Sequence, residues 1–427
     1  MIYVSTWLGK IIQLSMSWLK SGGQALPGLI IERFQPSYLA KMLHKLPEGV
    51  VVITGTNGKT TTSKMIVELL TAEGKKVLSN PTGSNLTRGI VSGLLAHASW
   101  SSKLDYDIAV LELDEAFAIK FIARVKPEWV VALNVSRDQL DRFGEVDKVA
   151  RLVGTTMKAA SRGVITNAND PHLSTIGQAI ADNQIKVSYF GVSPALRQYF
   201  PNDKELVSVD DPLASQPTKT KIPSALVELT NFQHQNVTYK INNQTYSTNL
   251  KLNGQHNYQN AAAALALVIE LLPATDPAVH VDNLAKVSVA FGRGESFKLP
   301  DGTNLQLVLV KNPASFRQAL ASYLFDNPAI MIAINDNYAD SRDVSWLWDV
   351  DFSTLSNTHV SLTSGSRAAD MALRLSYDDI KVNVVENDLN KALNKLAEMR
   401  GDKIIFATYT AMLQYYAILN KRAGVNP

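Results

Sequence analysis

No cysteine occurs among the 427 residues. That excludes disulfides, thiolate metal sites and a cysteine nucleophile within this chain, and it fits a cytosolic location. A surplus of charge of one sign is also missing: 42 Lys and Arg stand against 39 Asp and Glu. So small an excess gives no reason to expect nucleic acid as a partner. Long apolar runs are absent too. The longest, "AAAALALVIELL" at 261–272, contains Glu270 and is too short to span a bilayer, so it reads as a buried helix. The N-terminal stretch "MIYVSTWLGKIIQLSMSWLKSGG" does not have a signal peptide's order. Lys10 and Gln13 interrupt its apolar part, and no small-residue cleavage site follows. Its Trp7, Leu8, Ile11, Ile12, Leu14, Trp18 and Leu19 recur at helical spacing. Two readings stand for it: a helix packed on the main body, or a helix touching a membrane surface with its tryptophans at the interface.

What is present is ordinary globular composition, 46% hydrophobic and 19% charged, over a length that suits two or three domains. Between about 45 and 190, short β-branched segments ("GVVVIT", "KKVLSN", "DIAVLEL", "WVVALNV", "GVITNA") alternate with helical stretches such as 60–73 and 145–160. That pattern predicts an α/β fold with a mainly parallel sheet. Residues 195–255 break it with a Pro-, Ser- and Asp-rich loop, then alternating strands around an Asn-Asn turn. A second alternating section ("NLQLVLV", "AIMIAIN", "THVSLTS", "IKVNVVE", "KIIFAT") predicts a smaller C-terminal α/β domain, with 290–304 as the hinge. The expected divisions are a helical segment at 1–45, a central domain at 46–295 and a C-terminal domain at 296–427.

The central domain opens on "VVVITGTNGKTTTSKM". A strand ending at Thr54 and a helix starting near Lys59 aim backbone N–H groups and a helix dipole at the turn between them, which makes an anion site. Gly55 and Gly58 permit the turn and a close backbone approach to phosphate. Lys59 would contact the β- and γ-phosphates, and Thr60 would place its hydroxyl on Mg²⁺. The spacing is Gly-x-x-Gly-Lys-Thr, two residues shorter than the commoner phosphate loop. The plainer alternative is a glycine turn with a surface lysine.

Three further clusters follow strands or open helices. "IAVLELDEAF" ends a strand in Glu112, with Asp114 and Glu115 close behind, where carboxylates suit Mg²⁺; acids decorating a helix start are the alternative. "NVSRDQLDRFGE" offers Asp138 and Asp141 to metal or nucleotide, or as helix caps. "NGQHNYQNAAAAL" places His256, Asn257 and Asn260 at the start of the apolar helix, with the two asparagines on one face.

The motifs "TGTNGKTTT", "LELDE", "NVSRDQLDRFGE", "NGQHNYQNAAAA" and "AFGRGE" occur here in an order that resembles the Mur ligase superfamily, whose layout the folylpolyglutamate synthases share. A narrower resemblance rests on "NPTGSNLTRGIVSGLL", "RDQLDRFGEVD", "LVLVKNPASFRQAL", "INDNYADSRDVSWLWDVDF" and "SGSRAADMALRLSY". These look like the MurT family, the ligase subunits of lipid II isoglutaminyl synthase, and the likeness runs from about 20 to 420.

The resemblance implies a Mur ligase-type ATP-binding central domain. It also implies ATP-dependent amidation of the α-carboxylate of D-glutamate in the lipid II stem peptide, through an acyl phosphate, in peptidoglycan synthesis. It assigns ATP phosphates to Gly55, Thr56, Asn57, Gly58, Lys59, Thr60 and Thr61, and Mg²⁺ to Glu112 with Thr60. Asn257 and Asn260 would lie near the base, Arg293 would reach phosphate, and Ser84 and Asn85 would border the acceptor. Ammonia would come from a GatD-type glutaminase subunit, whose Cys–His pair an aspartate of this chain completes: Asp343, with Asp340 and Asp349 as rivals. The implied location is the cytoplasm, with the inner face of the membrane as a further option. Two departures stand out. Gln139 replaces a histidine common in Mur ligases, which weakens the case for a second Mg²⁺ there. The four-cysteine zinc ribbon of many MurT proteins has no counterpart here, where 200–225 is cysteine-free, so zinc is not expected. The competing functions are a ligase adding an amino acid and a nucleotide-binding scaffold without turnover.

Overall fold

Five consecutive buried residues, Val50–Thr54, form β1, as an apolar β-branched run does when both faces of its sheet are covered. It sits in the first of two sheets. The fold is that of a computed structural model, which describes residues 1–18, 25–80, 87–136, 146–182, 185–200, 222–252, 254–287, 293–323, 328–356 and 358–422. Contacts divide the chain into two units. The first holds residues 1–135, 147–251 and 257–287, and the second holds 136–146, 252–256 and 288–427.

In the first unit, β2 (Val77–Ser79), β3 (Ile108–Glu112), β1, β4 (Trp129–Ala132), β5 (Gly163–Asn167), β6 (Lys186–Val192) and β7 (Val227–Gln233) lie side by side and parallel. β8 (Asn236–Ile241) and β9 (Gln244–Asn249) extend the sheet antiparallel. Asn242 and Asn243 make the two-residue turn between them with φ of 48° and 67°, the left-handed geometry that asparagine tolerates in such hairpins. β1 pairs with both β3 and β4. The loops after these three strands therefore leave the same carboxyl edge, where ligands of open α/β sheets bind. Helix Gln255–Leu271 carries the long apolar run, and Ala261–Val268 is buried without a break.

Three helices precede β1: Ile2–Trp18, Leu26–Phe34 and Tyr38–Leu43. Close approach is built in by small residues. Gly28 lies against the Arg88 carbonyl so tightly that a Cβ would come within 1.8 Å of it, and its N–H donates to Ser92 Oγ at 2.9 Å.

The second unit has a six-stranded sheet of order β10 (Arg293–Lys298), β11 (Asn304–Leu309), β15 (Lys403–Ala407), β12 (Ala329–Ala333), β13 (Val360–Ser364), β14 (Val382–Glu386). All its neighbours are parallel except β10 and β11. β10 falls inside the stretch expected as a hinge; its pairing with β11 makes it sheet instead. One face of this sheet packs an aromatic core, with Phe316 against Phe352 at 5.2 Å and against Phe406 at 5.7 Å. Trp346 and Leu347, within the 3₁₀ turn Ser345–Asp349, are buried in the same cluster. Arg374 fixes that turn by donating Nε to the Leu347 carbonyl at 3.2 Å and a terminal nitrogen to Val350 O at 2.9 Å.

Candidate active site

The turn after β1 uses two left-handed glycines, Gly55 at φ 121° and Gly58 at φ 86°. Neither accepts a side chain. A Cβ on Gly55 would meet the backbone of Asn134 at 2.9 Å, and one on Gly58 would meet Asn260 Oδ1 at 2.3 Å. Asn260 thus lies against the loop, and its Nδ2 is 3.5 Å from Asn257 Oδ1. Both asparagines are buried. The helix Lys59–Ala72 starts directly behind Gly58, so the N–H groups of its first turn face the loop.

Lys59 is 8% exposed. Its Nζ donates to the carbonyls of Gly55 and, at 3.3 Å, Thr56, and lies 3.6 Å from Glu115 Oε1. The ammonium is thereby curled over the loop. Burial pushes the Glu115 carboxyl up to about 7, and the nearby Lys59 charge works against that rise. Thr60 Oγ1 donates to Glu112 Oε1 at 2.9 Å. One hydroxyl and one carboxylate therefore meet beside the loop, at the ends of β3 and of the loop itself. Hard oxygen donors of this kind fit Mg²⁺, which takes one or two protein oxygens and leaves its other positions to phosphate and water. Among the described residues, no group of three or more His, Cys, Asp or Glu comes together.

Two asparagines that open the quoted motifs "NVSRDQLDRFGE" and "NPTGSNLTRGIVSGLL", Asn134 and Asn80, hold this arrangement. Asn134, at the end of the β4 segment, accepts from Asn57 N at 2.8 Å and donates to Asn57 O at 3.0 Å. Its own carbonyl accepts from Thr56 N at 3.0 Å. Asn80 brackets the Glu112 backbone, accepting from its N–H at 2.9 Å and donating to its carbonyl at 3.0 Å. Deeper down, buried Asp170 accepts from the N–H groups of Val135, His172 and Leu173 at 2.7 to 3.0 Å. Sequence reasoning singled out none of these three. The signals for the two asparagines are their place at the head of those motifs and their position after a strand at the carboxyl edge.

Of the expected residues, Gly55 to Thr61, Glu112, Asn257 and Asn260 therefore gather around one loop in the first unit. Ser84, Asn85, Asp138, Gln139 and Asp141 lie outside the described residues, as does most of 200–225. Arg293 begins β10, and its side chain is likewise outside them.

The three aspartates of the second unit differ sharply. Asp340 is buried, and its carboxylate accepts from Thr410 N at 2.7 Å, Thr410 Oγ1 at 2.5 Å and Asn337 N at 3.2 Å. Asp343 is half-buried and accepts from Ser345 N at 2.8 Å. Hydrogen bonds from the Ser345 hydroxyl and N–H hold its carboxyl below the usual range. Asp349 is exposed, and its carbonyl accepts from Arg317 at 3.1 Å.

Comparison with known proteins gives the same outline. The family model for the Mur ligase middle domain matches residues 53–268, and that for the MurT ligase C-terminal region matches 309–412. The chain is 31% identical to a Streptococcus pneumoniae protein named "Lipid II isoglutaminyl synthase (glutamine-hydrolyzing) subunit MurT", across 94% of this chain and 93% of that one. A Staphylococcus aureus protein of the same name is 29% identical, across 97% of each. Among solved structures, MurF from Acinetobacter baumannii is similar with a TM-score of 0.68 at 20% identity, covering 90% of this chain and 79% of that one. MurF from Thermotoga maritima, solved with ADP, gives 0.66 at 17% identity, covering 92% and 85%.

Proposed function

Since the chain belongs to the MurT family within the Mur ligase superfamily, we propose that it activates the α-carboxylate of D-glutamate in the lipid II stem peptide for attack by ammonia. As a member of that family it is an ATP-dependent ligase of peptidoglycan synthesis. The observation that carries the finer reading is the loop with Lys59 folded over it and Thr60 joined to Glu112 at its edge.

The chemistry needs little from the protein except charge and position. A carboxylate oxygen attacks the γ-phosphorus of ATP, the bond to the leaving ADP oxygen breaks, and an acyl phosphate forms. Ammonia then adds to the carbonyl carbon and loses a proton, and phosphate departs with the former carboxylate oxygen. Lys59 and the N–H groups behind Gly58 neutralise charge that builds on the phosphoryl oxygens. Thr60 and Glu112 would hold Mg²⁺, which would supply further neutralisation of phosphate charge. Asn260 and Asn257 border the loop from helix Gln255–Leu271 and would face the nucleotide.

Ammonia must come from elsewhere, because a chain without cysteine lacks the usual glutaminase nucleophile. The relatives' name specifies glutamine hydrolysis and a subunit, so a GatD-type glutaminase is the proposed partner. Asp343 is the aspartate best suited to orient that partner's histidine. It is half-exposed and held ionised, whereas Asp340 is enclosed by its own chain's donors. Such a reaction belongs in the cytoplasm, where ATP and glutamine are available.

The test is to incubate the purified chain with lipid II and Mg·ATP, giving ammonium in one arm and glutamine plus the glutaminase in the other. Mass spectrometry follows conversion of acid to amide. Amide in both arms is expected. ATP consumption only on addition of an amino acid would overturn the reading in favour of an amino-acid-adding ligase.

A further inference from the structure

Helix Ile2–Trp18 packs on the protein through a mixed face, where half-buried Ile2, Ile12 and Met16 accompany small and polar residues. Ser5, Thr6 and Gly9 face the protein. Ser5 Oγ donates to Gln35 Oε1 at 2.5 Å. Thr6 Oγ1 is 2.9 Å from the Tyr38 hydroxyl and accepts from Ser102 Oγ at 2.8 Å. Gln13 Nε2 donates to Ser92 O at 2.8 Å. A Cβ on Gly9 would lie 2.5 Å from Leu95 Cδ2, so the helix is docked closely along this face.

The outward face is apolar as well. Tyr3, Val4, Trp7, Ile11 and Leu14 are each more than half exposed, from 51 to 59%. At helical spacing these five fall within an arc of about 100°. Trp7 stacks edge-on against exposed Trp100 at 5.2 Å and donates Nε1 to the Trp100 carbonyl at 2.9 Å. Lys10 Nζ lies 5.7 Å from the centre of the Trp100 ring. The helix Leu26–Phe34, packed beside the first, exposes Leu26 and Phe34 as well.

A water-facing helix of a globular protein carries polar side chains on its outer face, whereas this one carries apolar ones there. Charge narrows the choice of what covers this one. Residues 1–31 contain Lys10 and Lys20 and no Asp or Glu, and the first acid, Glu32, is paired with Arg124 at 2.8 Å. An apolar face that bears Trp7 and Trp100 and is flanked by Lys10 complements an anionic lipid surface, where indole rings sit at headgroup depth and a lysine meets lipid phosphates. Among the described residues no helix is long and apolar enough to cross a membrane, which leaves a helix lying in the surface.

We propose that the outward face of helix Ile2–Trp18 is a docking surface for an anionic lipid bilayer, holding the ligase at the plane where a lipid-carried substrate resides. Its purpose rests on the function proposed above, but its physical basis and its test do not.

The test floats the full chain with substrate-free vesicles, either phosphatidylcholine alone or with added phosphatidylglycerol. Wild-type chain is expected to float with the anionic vesicles and less with the neutral ones. The double variant Ile11→Glu and Leu14→Glu, whose altered side chains point away from the fold, should lower partitioning about tenfold or more. Lys10→Glu should weaken anionic binding alone. Thermal melting and ADP binding verify that the variants are folded. Absence of wild-type flotation, or equal flotation of the double variant, would overturn the proposal. So would concentration-dependent self-association that the double variant abolishes in place of lipid binding, which would assign the face to a second copy. Amidation of detergent-solubilised lipid II is read separately. The double variant should retain it, and its failure in the wild type would count against the function and leave the lipid surface standing.

Discussion

The loop after β1 and the loop after β12 both leave the carboxyl edge of a parallel sheet, yet they dispose of their charges in opposite ways. After β1, the charged groups are few and concentrated: Lys59 is gathered over two carbonyls, and Glu112 meets a single hydroxyl. After β12, the acids are enclosed by donors from their own unit. Asp336 accepts from Ser366 Oγ at 2.7 Å and Arg367 Nε at 2.8 Å, and Asp340 accepts from Thr410 and Asn337. Serine and arginine bonding holds the Asp336 carboxyl below its usual range. Lys59, which also lies 3.6 Å from Glu115, can exchange its two carbonyls for phosphate, and Glu112 holds one hydroxyl, whereas Asp336 is paired with Arg367 and Asp340 accepts three hydrogen bonds, which leaves them little to gain from an incoming cation. The first loop is built for a ligand; the second is built to hold a shape, from which Asp343 projects at the start of a turn anchored by Trp346 and Leu347.

Substitutions break this contrast in order of expected effect. Lys59→Ala removes the one cation on the first loop and should lower the ATP-dependent rate by about 10³-fold, read from ammonium-driven amidation. It also leaves buried Glu115 without its partner, so the melting temperature should fall as well. Asp343→Asn is expected to lower glutamine-driven amidation by about 10²-fold or more while ammonium-driven turnover stays intact. Equal loss in both assays would mean that Asp343 serves the fold. Asp340→Ala should do the reverse, costing about 1 to 2 kcal/mol of stability in denaturant unfolding because part-buried donors of Thr410 and Asn337 lose their acceptor.

The smallest effect concerns pH. Glu115 has its carboxyl raised from 4.5 to about 7 by burial, so the folded state binds more protons than the unfolded chain between those values. Stability from this group is therefore full at low pH and is lost as pH rises through that window. Relative to Glu115→Gln, the wild type should lose on the order of 1 to 2 kcal/mol between about pH 5 and pH 8, measured by urea unfolding at each pH.

The sheets were largely legible in advance, because β-branched runs such as Val50–Thr54 and Lys403–Ala407 are buried on both faces and read as unbroken apolar segments. The phosphate loop was legible because glycines, a lysine and a strand-to-helix change coincide within a few residues. β10 escaped notice: "RGESFK" has little strand character of its own and becomes a strand by pairing with β11. Asn134 and Asn80 stood at the head of quoted motifs, but the role of each was not legible, since an asparagine after a strand says nothing of the chain it will meet across a sheet. The first helix shows the limit most clearly. Its apolar period was readable, but which face turns inward depended on Gln35, Tyr38, Ser92 and Ser102, all distant in sequence.

The central claim is that this chain makes an acyl phosphate. It can be tested with lipid II carrying ¹⁸O in the D-glutamate α-carboxylate, incubated with the chain, Mg·ATP and ammonium. Inorganic phosphate released during amidation is expected to carry one labelled oxygen from the carboxylate. Unlabelled phosphate alongside amide, or label appearing in AMP, would contradict it.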